Sequence, residues 1–171
     1  MKKLFKLGSL LTMVMLLAMG TMVTSCGDDD DEGGGGGKTI NKVVYDGKEL
    51  TVTKASYFPD FLNNDIYSLY LDFSDGTGLF ILVSGERDNQ AIDMTKTGGW
   101  CFLYTDAELQ SIIYGYGGPT DARLCDAGST MKVKCLNKTT GEFEVEFKVI
   151  QSGHTMQGYY KGKFEPRDVK Q

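Results

Sequence analysis

The sequence predicts an all-β protein, either a single antiparallel β-sandwich or a small eight-stranded barrel, with one short helix. Two observations carry this. From residue 131 onward apolar and polar residues alternate with period two, and before that, turn-forming dipeptides separate short segments rich in β-branched and aromatic residues. A third supports it: eighteen aromatics (nine Tyr, eight Phe and Trp100) fall after residue 37, enough to build one core.

In chain order, residues 39–45 and 48–57 flank Asp46-Gly47, a pair suited to the positive φ angles of a type I′ turn, and read as a hairpin. Residues 66–73 and 79–84 flank Ser74-Asp75-Gly76-Thr77-Gly78 and read as a second one. Asp72 and Asp75 beside Gly76 would suit a metal loop, but a hairpin turn uses the same residues for backbone geometry. Gly98 and Gly99 precede a strand over 100–104. Thr105-Asp106-Ala107-Glu108 then has the form of a capping box. Leu109, Ile112 and Ile113 supply an apolar stripe, so the short helix is expected there, ending at Gly115. Residues 114–129, rich in Gly and containing Pro119, read as loop.

The final three strands, at 131–135, 143–149 and 156–164, read as a meander with short connections. Lys132 and Lys134 fall on the outer face of the first, and Glu142, Glu144 and Glu146 on that of the second, so cross-strand pairs of opposite charge are expected.

The N-terminus is of another kind. Lys2, Lys3 and Lys6 precede an uncharged, Leu- and Met-rich run over 7–23, the pattern of a secretory signal; the run is short for a membrane-spanning helix and small residues follow it. Val23-Thr24-Ser25-Cys26 resembles the lipobox of bacterial lipoproteins. The resemblance implies cleavage before Cys26 and acylation of its sulfur, with several chains on one residue giving the multi-chain anchor that a single chain does not. Gly27-Asp28-Asp29-Asp30-Asp31-Glu32 and five glycines at 33–37 follow. Charge repulsion and polyglycine entropy make this segment a tether, with a flexible-coil span of roughly 18 Å. An acidic run directly after the lipidated cysteine resembles the export signal of Bacteroidota outer-membrane lipoproteins. That implies a protein held in the outer membrane by the lipid on Cys26 and exposed at the cell surface. The strand layout likewise resembles small uncharacterised β-domains of such lipoproteins. The expected organisation is therefore signal peptide 1–25, lipidated tether 26–37 and β-domain 38–171.

The full chain carries 18 basic and 23 acidic residues, net −5, and the β-domain alone 15 against 18, net −3. With no cationic stretch longer than Lys161-Gly162-Lys163, nucleic acid is excluded as a partner. The aspartate run lacks the interleaved glycine and closing glutamate of a calcium loop. Cys101, Cys125 and Cys135 remain beside Cys26, an odd number that allows one internal bridge at most. Cys101–Cys125 is the first choice of pair and no bridge the alternative, since Cys135 shares the inward face of Met131 and Val133. The three cysteines with His154 lack the short spacings of a zinc knuckle, so no metal site is read, and no cofactor motif is present. Nucleophile elbow, metalloprotease and phosphate-loop motifs are missing too, and no catalytic residue is assigned. A hydrolase acting on surface polymers would need two carboxylates across one cleft.

Two aromatic segments are the candidate binding surface: Tyr57, Phe58 and Phe61 in one, Tyr114 and Tyr116 in the other, the latter read as tyrosines on a mobile glycine backbone. The rival reading has these rings capping the ends of the core. The expected function is a surface-anchored binding or accessory module for a glycan, peptide or envelope protein, with a structural subunit of a surface complex as the alternative.

Overall fold

The computed structural model describes residues 41–167, so the signal peptide, Cys26 and the tether lie outside the described residues. The first strands are β1 (Lys42–Tyr45), β2 (Lys48–Leu50) and β3 (Val52–Tyr57), followed by a single-turn helix α1 (Pro59–Asn63). Then come β4 (Ile66–Phe73), β5 (Gly78–Ser84), β6 (Ala91–Asp93), β7 (Trp100–Thr105) and β8 (Ser111–Tyr116). The chain closes with β9 (Thr130–Asn137), β10 (Glu142–Gln151), β11 (His154–Lys163) and β12 (Glu165–Pro166). They form two six-stranded sheets: sheet I in the order β2-β1-β11-β10-β9-β6, sheet II in the order β12-β3-β4-β5-β7-β8. Each ladder has two ends, so the fold is a sandwich and the closed-barrel alternative is not realised.

The one-sided alternation of the C-terminal strands becomes the β9-β10-β11 meander, with Glu146 opposite Lys132 and Glu144 opposite Lys134 on the outer face. Phe143, Val145, Phe147 and Val149 point inward and are buried. They meet the inner face of sheet II through rings: Phe102 lies 5.2 Å from Phe147, Tyr67 5.5 Å from Phe143, and Tyr104 4.9 Å from Tyr45 of β1. Edge-to-face and tilted pairs of this kind each add about 0.5–1.5 kcal/mol beyond the area they bury. Asp46 (φ 45°) and Gly47 (φ 82°) make the expected two-residue turn between β1 and β2.

Three expectations are corrected. The strand read over 48–57 breaks at exposed Thr51: Leu50 is buried beneath sheet I, while Ala55 continues into sheet II, so one segment serves both layers. The chain changes sheets again after β11, at fully buried Phe164, before β12 pairs in parallel with β3. The helix expected after Thr105 is absent: residues 106–110 form a turn, and 111–116 form β8, paired with β7. Asp106 Oδ1 accepts from the N–H groups of Glu108 and Gln110, so the residue read as part of a helix cap closes a hairpin instead. The short helix lies elsewhere, at Pro59–Asn63, where Pro occupies the first turn.

Tyr114 and Tyr116 therefore sit on a strand, not a mobile loop. The glycines between and after them are needed by Trp100. A Cβ on Gly115 would lie 2.6 Å from Cys125 Sγ and 2.9 Å from the indole, and one on Gly117 would overlap the indole nitrogen. Trp100 is itself pinned by its Nε1–H, which donates to the Lys96 carbonyl at 2.9 Å.

Candidate functional site

The two outer faces of the sandwich have opposite chemistry, and the strands announce it. In β5, β7 and β8 the outward positions are as apolar as the inward ones, giving runs such as Leu79-Phe80-Ile81-Leu82-Val83. Such runs belong to strands covered on both faces. Sheet I covers the inner face, while the outer one carries a half-buried aromatic surface.

Its geometry follows from register. Tyr70, Phe80, Leu103 and Tyr114 are successive cross-strand partners on β4, β5, β7 and β8, a row about 14 Å long at ~4.8 Å per strand. Leu82, Cys101 and Tyr116 form the next row. Helix α1 extends the first row: Phe58 packs edge-on against Tyr70 at 5.2 Å and lies 6.0 Å from Phe61, which is 39% exposed. The Phe58 N–H donates to the Ser68 carbonyl, holding the helix beside β4. Tyr70 and Phe80 rings are 4.6 Å apart. A guanidinium stands at each end, Arg167 over Tyr70 at 4.7 Å and Arg123 over Tyr114 at 5.6 Å. Burial pushes the Tyr70 hydroxyl pKa up, although Arg167 opposes the shift.

Four of the five sequence-predicted aromatics, Phe58, Phe61, Tyr114 and Tyr116, thus share one face. Tyr57 does not join them: its ring turns inward, 6.1 Å from Phe143, and fills the space a side chain at Gly141 would need. Tyr70, Phe80, Leu103 and the two arginines were missed. The signal for the first three was available as unbroken apolar runs, but Arg123 comes from a connection and Arg167 from the residue just after β12, where local pattern says nothing of their neighbours.

The Cys101–Cys125 bridge is also corrected. Cys101 points to the outer face of sheet II beside Leu82 and Tyr116, whereas Cys125 is buried against Gly115 and Trp100 on the inner side, and all three described cysteines are free. Burial raises the thiols of Cys101 and Cys125 to about 11, so neither is a ready nucleophile.

His154 begins β11 rather than lying in the turn before it. Its Nδ1 lies 2.7 Å from Asp46 Oδ2 and 2.8 Å from the Tyr45 hydroxyl, a cluster without a serine or cysteine. Among the described residues no group of three or more His, Cys, Asp or Glu side chains is placed to hold a metal ion.

The outer face of sheet I is charged and concave. Its depression, about 640 Å³, is lined by Lys42, Lys132, Lys148, Gln157 and Tyr159 with a single carboxylate, Glu146. A two-carboxylate glycosidase site is not formed there. No protein family, curated protein or solved structure matches this chain.

Proposed function

We propose that this protein is a lipid-tethered binding module of the bacterial outer surface that docks onto a protein partner through the outer face of sheet II. The observation that carries the reading is the aromatic row from Tyr70 to Tyr114, extended by Phe58 and Phe61 and ended by Arg167 and Arg123. Half-buried tyrosines and phenylalanines with flanking arginines have the composition of an interface core, and truncating such residues commonly costs the most in binding. A glycan on this face would find stacking surfaces but few side chains to hydrogen-bond its hydroxyls, so a partner with an apolar strip bordered by carboxylates fits better. The lipobox at Val23-Thr24-Ser25-Cys26 and the acidic run after it support placement at the surface of the outer membrane.

The test is site-directed photo-crosslinking in intact cells, with the photoreactive residue at position 116 and, as control, at position 157 on the opposite sheet. A discrete adduct from 116 that disappears in the Phe80→Ser/Tyr114→Ala variant is expected. Equal crosslinking from both faces would sink the proposal. Mass spectrometry of the mature N-terminus tests the anchor, expected as an acylated Cys26, and protease shaving of cells tests exposure.

A further inference from the structure

Ser56 is the one buried side-chain polar group among the described residues that has no hydrogen-bond partner, and it stands at the Arg167 end of the aromatic row. On β3 the side chains of Ala55 and Tyr57 turn into the core, so that of Ser56 turns to the outer face of sheet II. Its cross-strand partner is Tyr70, which puts the two Cβ atoms about 4.5–5.5 Å apart. Ser56 thus extends the row from Tyr70 to Tyr114 by one strand, and it is 0% exposed. A hydroxyl kept dry and unpaired costs stability, so its place on a docking face points to an acceptor that arrives from outside.

The neighbours of Ser56 specify that acceptor. Over Tyr70 lie the Phe58 ring at 5.2 Å and the Arg167 guanidinium at 4.7 Å. Arg167 is half-buried and its N–H donates to the Tyr57 carbonyl at 2.7 Å, so the backbone is fixed and the side chain can leave the ring by rotation alone. None of the ion pairs among the described residues involves Arg167. The acidic residues nearest in register each have a lysine beside them: Glu165, next to Ser56 on β12, is 3.4 Å from Lys163, and Asp72, two residues along β4, lies opposite Lys54. A guanidinium grips a carboxylate through two parallel bonds, and a stack on tyrosine is weak enough to be exchanged for such a pair. One guanidinium and one neutral hydroxyl balance a single negative charge, which favours a carboxylate over a doubly charged phosphate. The other end of the row has no counterpart. Arg123 stands over Tyr114 at 5.6 Å, but β8 is the last strand of its sheet and no unpaired buried hydroxyl lies beyond it.

We infer that Ser56, Tyr70 and Arg167 form a seat for a single aspartate or glutamate carboxylate of the docking partner. The Arg167 guanidinium swings off the Tyr70 ring to grip the carboxylate with its fork. The swing uncovers Ser56, whose hydroxyl donates to the same group, while apolar neighbours of the carboxylate lie on Tyr70 and Phe80. This deepens the docking reading of sheet II and rests on it. The seat also sets the direction in which the partner lies along the row, since only one end receives an acidic residue in a buried position.

The experiment titrates the full-length protein, in neutral-detergent micelles, with a capped leucine-aspartate-leucine peptide and with its asparagine counterpart, following the NMR amide signals of Ser56 and Tyr70. Saturable shifts at both are expected with the aspartate peptide, and about tenfold weaker binding with the asparagine one. Arg167→Gln and Ser56→Ala are each expected to lower affinity for the aspartate peptide about tenfold, and Arg123→Gln to leave it unchanged. Ser56→Ala deletes a buried unsatisfied group, so urea unfolding should show it no less stable than the unsubstituted protein. Its loss of binding then reports the hydroxyl and not the fold. Absence of shifts at Ser56 and Tyr70, equal affinity for the two peptides, or unchanged affinity in Ser56→Ala would each overturn the seat while leaving the crosslink from position 116 intact. Failure of the docking reading registers separately, as equal crosslinking from positions 116 and 157, and would remove the partner together with its seat.

Discussion

Gln151 serves Tyr114 as a surrogate strand. The Tyr114 N–H donates to Gln151 Oε1 and Gln151 Nε2 donates to the Tyr114 carbonyl, both at 2.8 Å, so one buried amide from β10 of sheet I satisfies the open side of β8, the last strand of sheet II. Two residues on, Tyr116 exchanges both backbone bonds with Arg123 at 2.7 and 2.8 Å. An edge that would otherwise offer unpaired groups to another chain is closed, and the aromatic face is held in register while it is closed. Gln151→Leu keeps the volume but removes both partners, and is expected to cost about 1–3 kcal/mol in urea unfolding. The Tyr114 amide should also lose hydrogen-exchange protection. An unchanged exchange rate there would show that the side-chain amide does not close the edge.

The same strand explains where sequence reading succeeds and fails. Sheet I was legible because only its inner face is apolar, so Phe143 to Val149 could alternate with glutamates and lysines in plain view. In β8 both faces are occupied, Ile113 buried inside and Ile112 half-buried outside, and inward Gly115 yields its place to Trp100. Period two vanishes from such a segment. An Asp that caps a tight turn then looks like one that caps a helix, because the side-chain-to-backbone chemistry is the same. Leu109, counted in the supposed apolar stripe, is 79% exposed at φ 63° in the turn. The short β6 carries too few residues to show any period, and the pairing of Arg123 with Tyr114 depends on tertiary contact alone.

Gly117 is expected to be intolerant of the smallest side chain. The indole of Trp100 occupies the Cβ position and cannot swing away without losing its bond to the Lys96 carbonyl. Overpacking of this kind costs about 1–3 kcal/mol. Gly162→Ala is the control, since its nearest neighbour, Tyr160, would lie at an ordinary 3.6 Å. Equal urea midpoints for the two variants would contradict the packing account.

Ser56 carries a cost that a single substitution can remove. It is fully buried on β3, opposite Tyr70, and its hydroxyl has no hydrogen-bond partner among the described residues. Ser56→Ala deletes the unsatisfied group and leaves the backbone pairing intact. Stability is expected to hold or to rise by up to about 1 kcal/mol. A clear loss in thermal unfolding would mean that the hydroxyl has an energetically important partner.

The three domain thiols should remain reduced yet slow to react. Cys101 and Cys125 stand on opposite faces of one sheet, and burial keeps both protonated near neutral pH. Alkylation of the unreduced protein is expected to label all three only after denaturation, with little labelling of Cys101 and Cys125 in the native state. A mass two protons short, with one thiol reactive, would reveal a bridge that the fold does not accommodate.

Acid should loosen the β1–β11 end of the sandwich first. Asp46 Oδ1 accepts from the Thr155 N–H at 2.7 Å while Oδ2 meets His154, and these bonds hold its pKa below the usual carboxylate range, the histidine contact being the largest cause. Asp75 is drawn down to about 2 by the Thr77 hydroxyl first and then by Lys48. A carboxylate whose folded pKa lies below its unfolded value of about 3.9 stabilises the fold above that value and ceases to do so as pH falls through the folded one. The unfolding midpoint should therefore be insensitive to these groups near neutrality and fall between about pH 4 and pH 2. Asp46→Asn cannot be protonated in that window, so it should lower stability at pH 7 and flatten part of the acid limb. The Tyr45 hydroxyl, raised to about 12 chiefly by burial and then by Asp46, stays protonated throughout and does not contribute to the slope. An Asp46→Asn profile parallel to that of the unsubstituted protein from pH 7 to pH 2 would remove the Asp46–His154 contact from the account of acid stability.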